Sequence, residues 1–198
     1  MEGDRLETAI VKNHISRGLP TRLDVTPMPS SMMLGAPREV AMSKPFHGQK
    51  TETQVFDVFG VHIRIMLPTD AADGSLSIFE DHNEPGAGPP LHAHHDADEI
   101  FTVVSGAYKF ICGETVIDGG AGDVVLVPRG TPHTFLNSGA GPGHLIVTMR
   151  PGGFEGFFKA VADANLQLPR DMSAIAELAK QYHLEFLGPN PLVICRAV

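Results

Sequence analysis

The stretch GAGPPLHAHHDADE, at residues 86–99, decides how this chain is interpreted. His92 and His94 stand two residues apart, so on a β-strand both side chains point to the same side. Glu99 follows after a short polar loop, 95–98. Imidazole nitrogens and carboxylate oxygens are ligands that divalent transition metals accept. This spacing therefore predicts most of a metal-ion site.

A second stretch, GDVVLVPRGTPHTFLN at residues 122–137, supplies a further histidine, His133. Pro128 and Gly130 bend the chain just before it, which presents the histidine inward. Three imidazoles and one carboxylate suit one divalent ion (Fe, Mn, Ni, Co, Cu or Zn) with one or two coordination positions left open. Two alternatives are a closed tetrahedral zinc site and core histidines satisfied by hydrogen bonds. The predicted metal ligands are His92, His94, Glu99 and His133.

Together the two stretches resemble the two motifs of the cupin superfamily, G(X)5HXH(X)4E(X)6G and G(X)5PXG(X)2H(X)3N. All ten fixed positions match, from Gly86 to Gly106 and from Gly122 to Asn137. The resemblance covers residues 53–151 and implies a cupin double-stranded β-helix, that is, a jelly-roll barrel. Small single-barrel members with this ligand set, the quercetinase-like dioxygenases, also use the Glu ligand as a general base. The resemblance therefore implies that Glu99 is catalytic.

The composition of residues 53–151 and the spacing of their apolar segments independently favour an all-β fold. Short segments rich in Val, Ile, Phe and Thr alternate with Gly- and Pro-containing turns, and the chain holds 21 Gly and 16 Pro. Many short strands at such spacing are typical of an antiparallel sandwich or barrel. The predicted strands are 55–67, 76–84, 99–110, 114–118, 123–127, 133–137 and 144–150.

The flanking regions are predicted to be appendages of the barrel. Residues 152–198 contain two apolar patterns of helical period, 153–168 and 173–182, which predict a C-terminal helical extension packed on the outside. Residues 1–52 contain several prolines that interrupt regular structure. We expect this segment to be an N-terminal arm that packs on the domain or on a partner subunit; a flexible leader is the alternative.

Composition excludes several classes of function. A net charge of −8 argues against binding of nucleic acid or an anionic membrane surface. Cys112 and Cys195 stand far apart and form no CxxC pair, so no disulfide framework is predicted, and both are expected to be buried or inert thiols. Residues 1–12 carry acidic side chains where a signal peptide would need a basic start, and no apolar run is long enough to span a membrane. These features predict a cytoplasmic protein.

Counting by twos along the strands predicts which side chains face the metal. From Glu99 the count reaches Phe101 and Val103, and from His133 it reaches Phe135. Met149 is a further candidate for the substrate pocket, and ordinary core packing is the alternative for all four. A lining of this kind suits a flat or apolar organic molecule better than a phosphorylated sugar, which would require Arg or Lys inside.

These observations leave three functional hypotheses. The first is a metal-dependent oxidoreductase of dioxygenase type acting on a small aromatic or enol-bearing molecule. The second is a non-catalytic cupin that binds or senses a small molecule. The third, a sugar-type isomerase or epimerase, requires a second acid/base group facing the metal, and the sequence identifies none.

Two further expectations concern the surface. Small cupins commonly pair through their sheets and N-terminal arms, so the resemblance implies a homodimer. The histidines outside the motifs have no evident partners in the sequence and are expected to be surface or packing residues; they are His14, His47, His62, His82, His144 and His183.

Overall fold

Two antiparallel β-sheets make up most of the chain in the computed structural model, which describes residues 44–51, 53–59 and 61–194. The all-β class predicted from the sequence is confirmed. The strands are β1 (Val55–Val58), β2 (Val61–Leu67), β3 (Ser77–Asn83), β4 (Leu91–His94), β5 (Asp98–Ser105), β6 (Ala107–Cys112), β7 (Thr115–Gly120), β8 (Val124–Val127), β9 (His133–Asn137), β10 (Gly143–Arg150) and β11 (Leu184–Gly188).

The strand order divides each of the two sequence motifs between the two sheets. One sheet has the order β1-β2-β3-β10-β5-β8, and the other has the order β11-β4-β9-β6-β7. Side chains alternate between the two faces of each strand. On β5 the buried positions are Glu99, Phe101 and Val103, which face the opposite sheet, whereas Val104 is exposed. Glu99 thus belongs to one sheet, and the strands that carry the motif histidines belong to the other.

Turns divide two of the predicted strands. The predicted strand 99–110 is two strands in the structure, β5 and β6, because the chain reverses at Gly106. Gly106 has a φ of +94°, and a Cβ atom there would lie 2.8 Å from the Cα of Gly143. Only glycine fits both the dihedral and the close approach. The predicted strand 55–67 is likewise divided into β1 and β2, with Phe59 at a φ of +58° in the turn between them.

The core lies between the two sheets and is rich in aromatic rings. Phe101, Phe110 and Phe135 meet with ring centroids 5.4 to 6.1 Å apart, and each of these side chains is buried. Such separations are typical of favourable aromatic pairs. The three rings pack between the sheets below the polar cluster formed by the motif residues, with Phe101 6.3 Å from the ring of His133.

The C-terminal region combines helices with a strand. Helix α1 (Glu155–Asp163) lies within the predicted segment 153–168, α2 (Met172–Ala179) begins one residue before the predicted segment 173–182, and α3 (Pro191–Ile194) follows later. Helix α1 buries Phe157, Phe158 and Val161 against the barrel, as its helical pattern predicts. The strand β11 was missed by the sequence reasoning. It pairs with β4, so this extension also widens a sheet.

Much of the predicted N-terminal arm, 1–52, lies outside the described residues; those of its residues that are described, 44–51, are exposed. Every described residue belongs to one compact unit, Met42–Val198. Cys112 is a free, half-buried thiol. Within the described part of the chain, no helix combines the length and the apolar character needed to cross a membrane.

Candidate metal centre

Four side chains from three strands meet between the sheets. His92 and His94 come from β4 and His133 from β9 of one sheet, whereas Glu99 comes from β5 of the other. His92 and His133 are direct neighbours in the ladder that joins β4 and β9. One ligand atom from each of the four residues lies within 4.8 Å of the others, and all four side chains are buried. The group has the composition and the spacing to bind one metal ion.

Backbone carbonyls fix the orientation of two of the rings. The Nδ1 atom of His92 lies 2.8 Å from the carbonyl oxygen of Pro90, and that of His133 lies 2.8 Å from the carbonyl oxygen of Thr131. A carbonyl can only accept, so Nδ1 is the donor in both rings. In the neutral imidazole, Nε2 then carries the lone pair and is the atom available to a metal.

The third ring carries a nitrogen that no protein group satisfies. His94 is 2% exposed, and its Nε2 is buried without a hydrogen-bond partner among the described residues. It lies 3.5 Å from Oε2 of Glu99, the same oxygen that lies 2.7 Å from Nε2 of His133. A buried polar atom without a partner is costly and rare. An ion placed among these atoms would satisfy His94, so the residues fit a bound metal.

Burial and the neighbouring charge act in opposite directions on these groups. Burial lowers the pKa of His92 to about 3 and also lowers that of His94, which keeps both rings neutral as a ligand must be. Burial acts to raise the pKa of Glu99, but the hydrogen bond with His133 and the nearby imidazoles outweigh it and lower that pKa to about 2. For His133 burial is likewise outweighed by Glu99, which raises its pKa. Without an ion, His133 and Glu99 form a buried ion pair.

A cavity of about 230 Å³ opens beside this group. Phenylalanine side chains form much of its wall, namely Phe59, Phe79, Phe101, Phe135, Phe154, Phe157, Phe158 and Phe186. The ring of Phe154, which precedes α1, meets the ring of His94 edge-on at 4.5 Å. No Lys or Arg is among the described residues that line the cavity. The volume lies below the usual range for drug-sized ligands, roughly 300–1,000 Å³, so the cavity suits a small, apolar molecule.

A second carboxyl group, Asp81, also lines this cavity. It projects from β3 and is 6% exposed. Its Oδ1 accepts a hydrogen bond from Nδ2 of Asn83 at 2.9 Å, and Oδ1 of Asn83 accepts one from the Tyr108 hydroxyl at 2.9 Å. Burial raises the pKa of Asp81 to about 7, and the charge of Glu99 adds to that effect. The sequence reasoning missed this residue because it lies outside both motifs.

The predicted pocket residues divide into two pairs. Phe101 and Phe135 line the cavity beside the four-residue group. Met149 is buried and lines a second, smaller cavity of about 160 Å³, which shares His94 with the first. Val103 is buried in the core and lines neither. The helix-flanking Phe154 and the strand residue Phe186 line the first cavity, although the sequence suggested only packing for this region.

Most of the remaining histidines lie at the surface, but some have partners that the sequence did not show, such as Asp57 for His62 and Asp96 for His183. His62 and His82 are about half exposed, and His144 is partly buried. On the outer face of the sheet, however, His82 and His144 gather with Glu80 into a second group of three potential ligands. His47 is exposed, and His14 lies outside the described residues.

Comparison with known proteins agrees with this architecture. Residues 80–149 match the family described as the cupin domain, a range that contains all four residues of the group. No curated protein matches the sequence of the chain. Among solved structures, KdgF from Halomonas sp. is 21% identical, with a TM-score of 0.51 over 57% of this chain and 99% of that protein, and it shares the fold.

Two more solved structures are similar at a lower score. An RmlC-like cupin from Shewanella frigidimarina is 20% identical, with a TM-score of 0.49 over 58% of this chain and 99% of its own. A predicted oxalate decarboxylase from Thermotoga maritima is 19% identical, with a TM-score of 0.48 over 54% of this chain and 99% of its own. The family match, the two-sheet barrel and the two motifs together identify the chain as a protein with a small cupin-type domain.

Proposed function

We propose that His92, His94, Glu99 and His133 bind one divalent transition metal ion, and that the chain is a dioxygenase-type oxidoreductase. Its substrate would be a small aromatic or enol-bearing molecule, into which both atoms of O₂ are incorporated. One observation carries the proposal: a cavity walled by phenylalanine and free of Lys and Arg, within the described residues, ends on the three-histidine, one-carboxylate group. Flat apolar molecules bind well in such a cavity, whereas phosphorylated ones would lack a counter-charge.

The protein side chains divide the remaining tasks. The ion, when bound, would acidify an enol or phenol oxygen of the substrate and supply the redox chemistry. Glu99 lines the cavity and its carboxylate is ionised, so it is placed to accept the substrate proton. The phenylalanine rings exclude water and hold the substrate by ring contacts. Phe101 and Phe135 are assigned to this wall.

Asp81, which lines the same cavity from the same sheet as Glu99, supports the same assignment. A carboxyl group with its pKa raised to about 7 is substantially protonated at neutral pH, so it can donate a hydrogen bond to a second oxygen of the substrate. Glu99, with its pKa lowered to about 2, is fully ionised. Two carboxyl groups held in opposite protonation states are typical of acid–base pairs in active sites.

Oxygen uptake provides the test. Tag-free protein loaded separately with Fe²⁺, Mn²⁺ or Ni²⁺ is mixed with pentane-2,4-dione or with a flavonol in an oxygen electrode. We expect consumption of O₂ that depends on the metal and matches the loss of substrate one to one. The Glu99→Gln variant, assayed at equal metal content, is the matched control and should be strongly impaired. No uptake with any ion and either substrate would refute the dioxygenase assignment.

A second candidate, redox-neutral proton transfer of the isomerase type, is favoured by Asp81 in particular. That chemistry requires a second acid/base group near the metal, and Asp81 lines the same cavity as Glu99. The cavity wall favours an apolar carbonyl compound over a sugar acid. Under argon in D₂O, an isomerase would exchange the α-hydrogen of the diketone faster than the Asp81→Asn variant does. Thermal stabilisation by the diketone, without exchange or oxygen uptake, would indicate a protein that only binds its ligand.

The homodimer remains a prediction, since the arm 1–52 lies largely outside the described residues. Light scattering on the full chain and on a chain that begins at residue 44 tests it. We expect a dimer that weakens or dissociates without the arm. An unchanged dimer would remove the role of the arm, and a monomeric full chain would refute the prediction.

A further inference from the structure

The outer face of the six-stranded sheet carries a second set of metal-binding residue types. Glu80 and His82 lie on β3, and His144 lies on the adjacent β10, where it is the direct ladder partner of His82. On β3 the alternate residues Phe79 and Asp81 line the cavity, so Glu80 and His82 point to the opposite face. This outer cluster therefore lies across the sheet from the central group and shares no residue with it.

The distances within the outer cluster suit a shared ion. Oε2 of Glu80 lies 3.3 Å from Nε2 of His144, and Oε1 lies 3.5 Å from Nε2 of His82. The two rings are stacked, with centroids 4.2 Å apart and planes inclined by 19°. One ligand atom from each residue falls within 4.8 Å of the others. An ion at about 2.0–2.2 Å from each ligand atom requires nitrogen and oxygen atoms at roughly such separations.

One nitrogen in the outer cluster forms no well-aligned hydrogen bond with any residue that the structure describes. Nε2 of His144 is buried and makes no hydrogen bond to any described residue, although it faces the Glu80 carboxylate. In the central group, Nε2 of His94 is in the same situation. A ring nitrogen held against a carboxylate without a hydrogen bond has the arrangement that a bridging cation would complete.

Arg64 lowers the affinity of the outer cluster for a metal ion but leaves one oxygen of Glu80 available. Its Nε donates to Oε1 of Glu80 at 2.6 Å, so the guanidinium fixes the carboxylate in place. The same bond leaves Oε2 directed at His144. The positive charge of Arg64 opposes a cation nearby, and the His82 side chain is 46% exposed. Both features predict weaker binding than at the central group, with water completing the coordination.

We propose that Glu80, His82 and His144 form a second binding site for a divalent transition metal ion of the Zn²⁺ class, independent of the central group. Two imidazole nitrogens and one carboxylate oxygen match the ligands that Zn²⁺ prefers. The ion would join β3 to β10. The inward faces of these strands carry Phe79, Asp81 and Val147, which line the cavity. An ion bound on the outer face would therefore stabilise the two strands that form this part of the cavity wall.

Zinc stoichiometry tests the proposal. Full-length, tag-free protein is stripped with chelator, titrated with Zn²⁺ in a calorimeter, and assayed for bound zinc by elemental mass spectrometry after dialysis. We expect the His82→Ala and His144→Asn variants each to bind one equivalent fewer than the natural chain. The matched control is His62→Ala: His62 flanks His82 at a ring separation of 6.4 Å but pairs with Asp57 instead. This variant should keep the full stoichiometry.

The outcomes separate this site from the central one. A natural chain that binds two equivalents, with one lost in His82→Ala and the other in His92→Ala, supports both sites. A natural chain that binds one equivalent, lost in His82→Ala, supports the outer site and removes the central metal. Unchanged zinc binding in both His82→Ala and His144→Asn refutes the outer site, as does an equal loss in His62→Ala. Circular dichroism and the urea midpoint verify that each variant is folded.

Discussion

The two histidine clusters of this protein use the same kinds of donor atom, imidazole nitrogen and carboxylate oxygen, in different surroundings, with three histidines in the central group and two in the outer cluster. In the central group, His92, His94, Glu99 and His133 are each at most 7% exposed. In the outer cluster, the side chain of His82 is 46% exposed, and Arg64 already pairs with Glu80. The hydrogen bond from Arg64 lowers the pKa of Glu80 to about 2, whereas Glu99 reaches a similar pKa through the imidazoles around it.

The difference shows that surroundings decide what a set of ligands can do. In the outer cluster, Arg64 already donates a hydrogen bond to the Glu80 carboxylate. A metal ion must therefore compete with both Arg64 and water for this carboxylate. In the central group, no Lys or Arg is among the described residues beside Glu99, and burial makes every unpaired charge costly. A metal ion there would replace the ion pair of His133 and Glu99 and satisfy His94 as well.

The largest effect is expected from His133→Ala, which breaks the central group. Metal affinity should fall by more than about a hundredfold, because a direct ligand is lost and second-shell changes alone cost 10- to 100-fold. The metal-free variant should also lose about 3–5 kcal/mol in the free energy of unfolding, since Glu99 is left buried without its partner. Elemental mass spectrometry and urea unfolding measure the two effects. The control is His95→Ala. His95 follows His94 in the sequence but is exposed and paired with Glu185, so this variant should change neither the metal affinity nor the free energy of unfolding.

The Glu99→Gln variant separates binding from catalysis within the central group. The amide keeps the shape of the side chain but cannot accept the substrate proton. Turnover should fall by roughly a hundred- to ten-thousand-fold, whereas metal content falls by much less. The two quantities are measured on the same preparation. A variant with full activity would show that Glu99 is not the base.

Asp81→Asn should alter how stability depends on pH. The ordinary pKa of Asp81 is 3.8, and burial raises it to about 7 in the folded protein. Between these values the folded protein retains a proton that the unfolded chain releases, so stability falls as pH rises through this window. The asparagine variant lacks this loss. Relative to the natural chain it should therefore gain a few kcal/mol between pH 4 and pH 8, at about 1.4 kcal/mol per pKa unit.

Urea unfolding of chelator-treated protein at several pH values measures this slope. The control is Asp163→Asn, at an exposed residue of α1 that pairs with Lys159, four residues earlier. Its profile should follow that of the natural chain. Parallel profiles for the natural chain and Asp81→Asn would mean that the Asp81 carboxyl is already ionised at neutral pH in the folded state.

The smallest effect is expected from His82→Ala in the absence of metal. His82 is half exposed and belongs to the cluster in which Arg64 already compensates the carboxylate. The free energy of unfolding should therefore change by no more than about 0.5 kcal/mol. A loss comparable to that of His133→Ala would show that the outer cluster is as strongly coupled to the fold as the central group.

The sequence could predict the central group because its members lie in two local motifs. The spacing of His92, His94 and Glu99 depends only on strand alternation and one short loop, and the bend at Pro128 and Gly130 precedes His133 directly. The outer cluster and Asp81 have no local signature. His82 and His144 meet only through the register of β3 with β10, which is set by packing along the whole sheet.

The sequence could not predict the C-terminal residues of the cavity wall for a similar reason. Phe154 and Phe157 show helical spacing, which predicts a buried face but not the surface that the face covers. The strand β11 is five residues long and follows a helix, so nothing in its composition separates it from a loop. Its position became evident only from its pairing with β4.

The pairing of β11 with β4 affects when the central group can be assembled during the folding of a newly made chain. On one side, β4 pairs with β9 through a single residue, His133. On its other side, β4 pairs with four residues of β11. During synthesis the ribosome makes the ligand strand about ninety residues before the strand that holds it in the sheet. If the central group binds a metal ion as proposed, the ion would meet a finished site only after β11 has been made and paired with β4, which would place metal loading after this step.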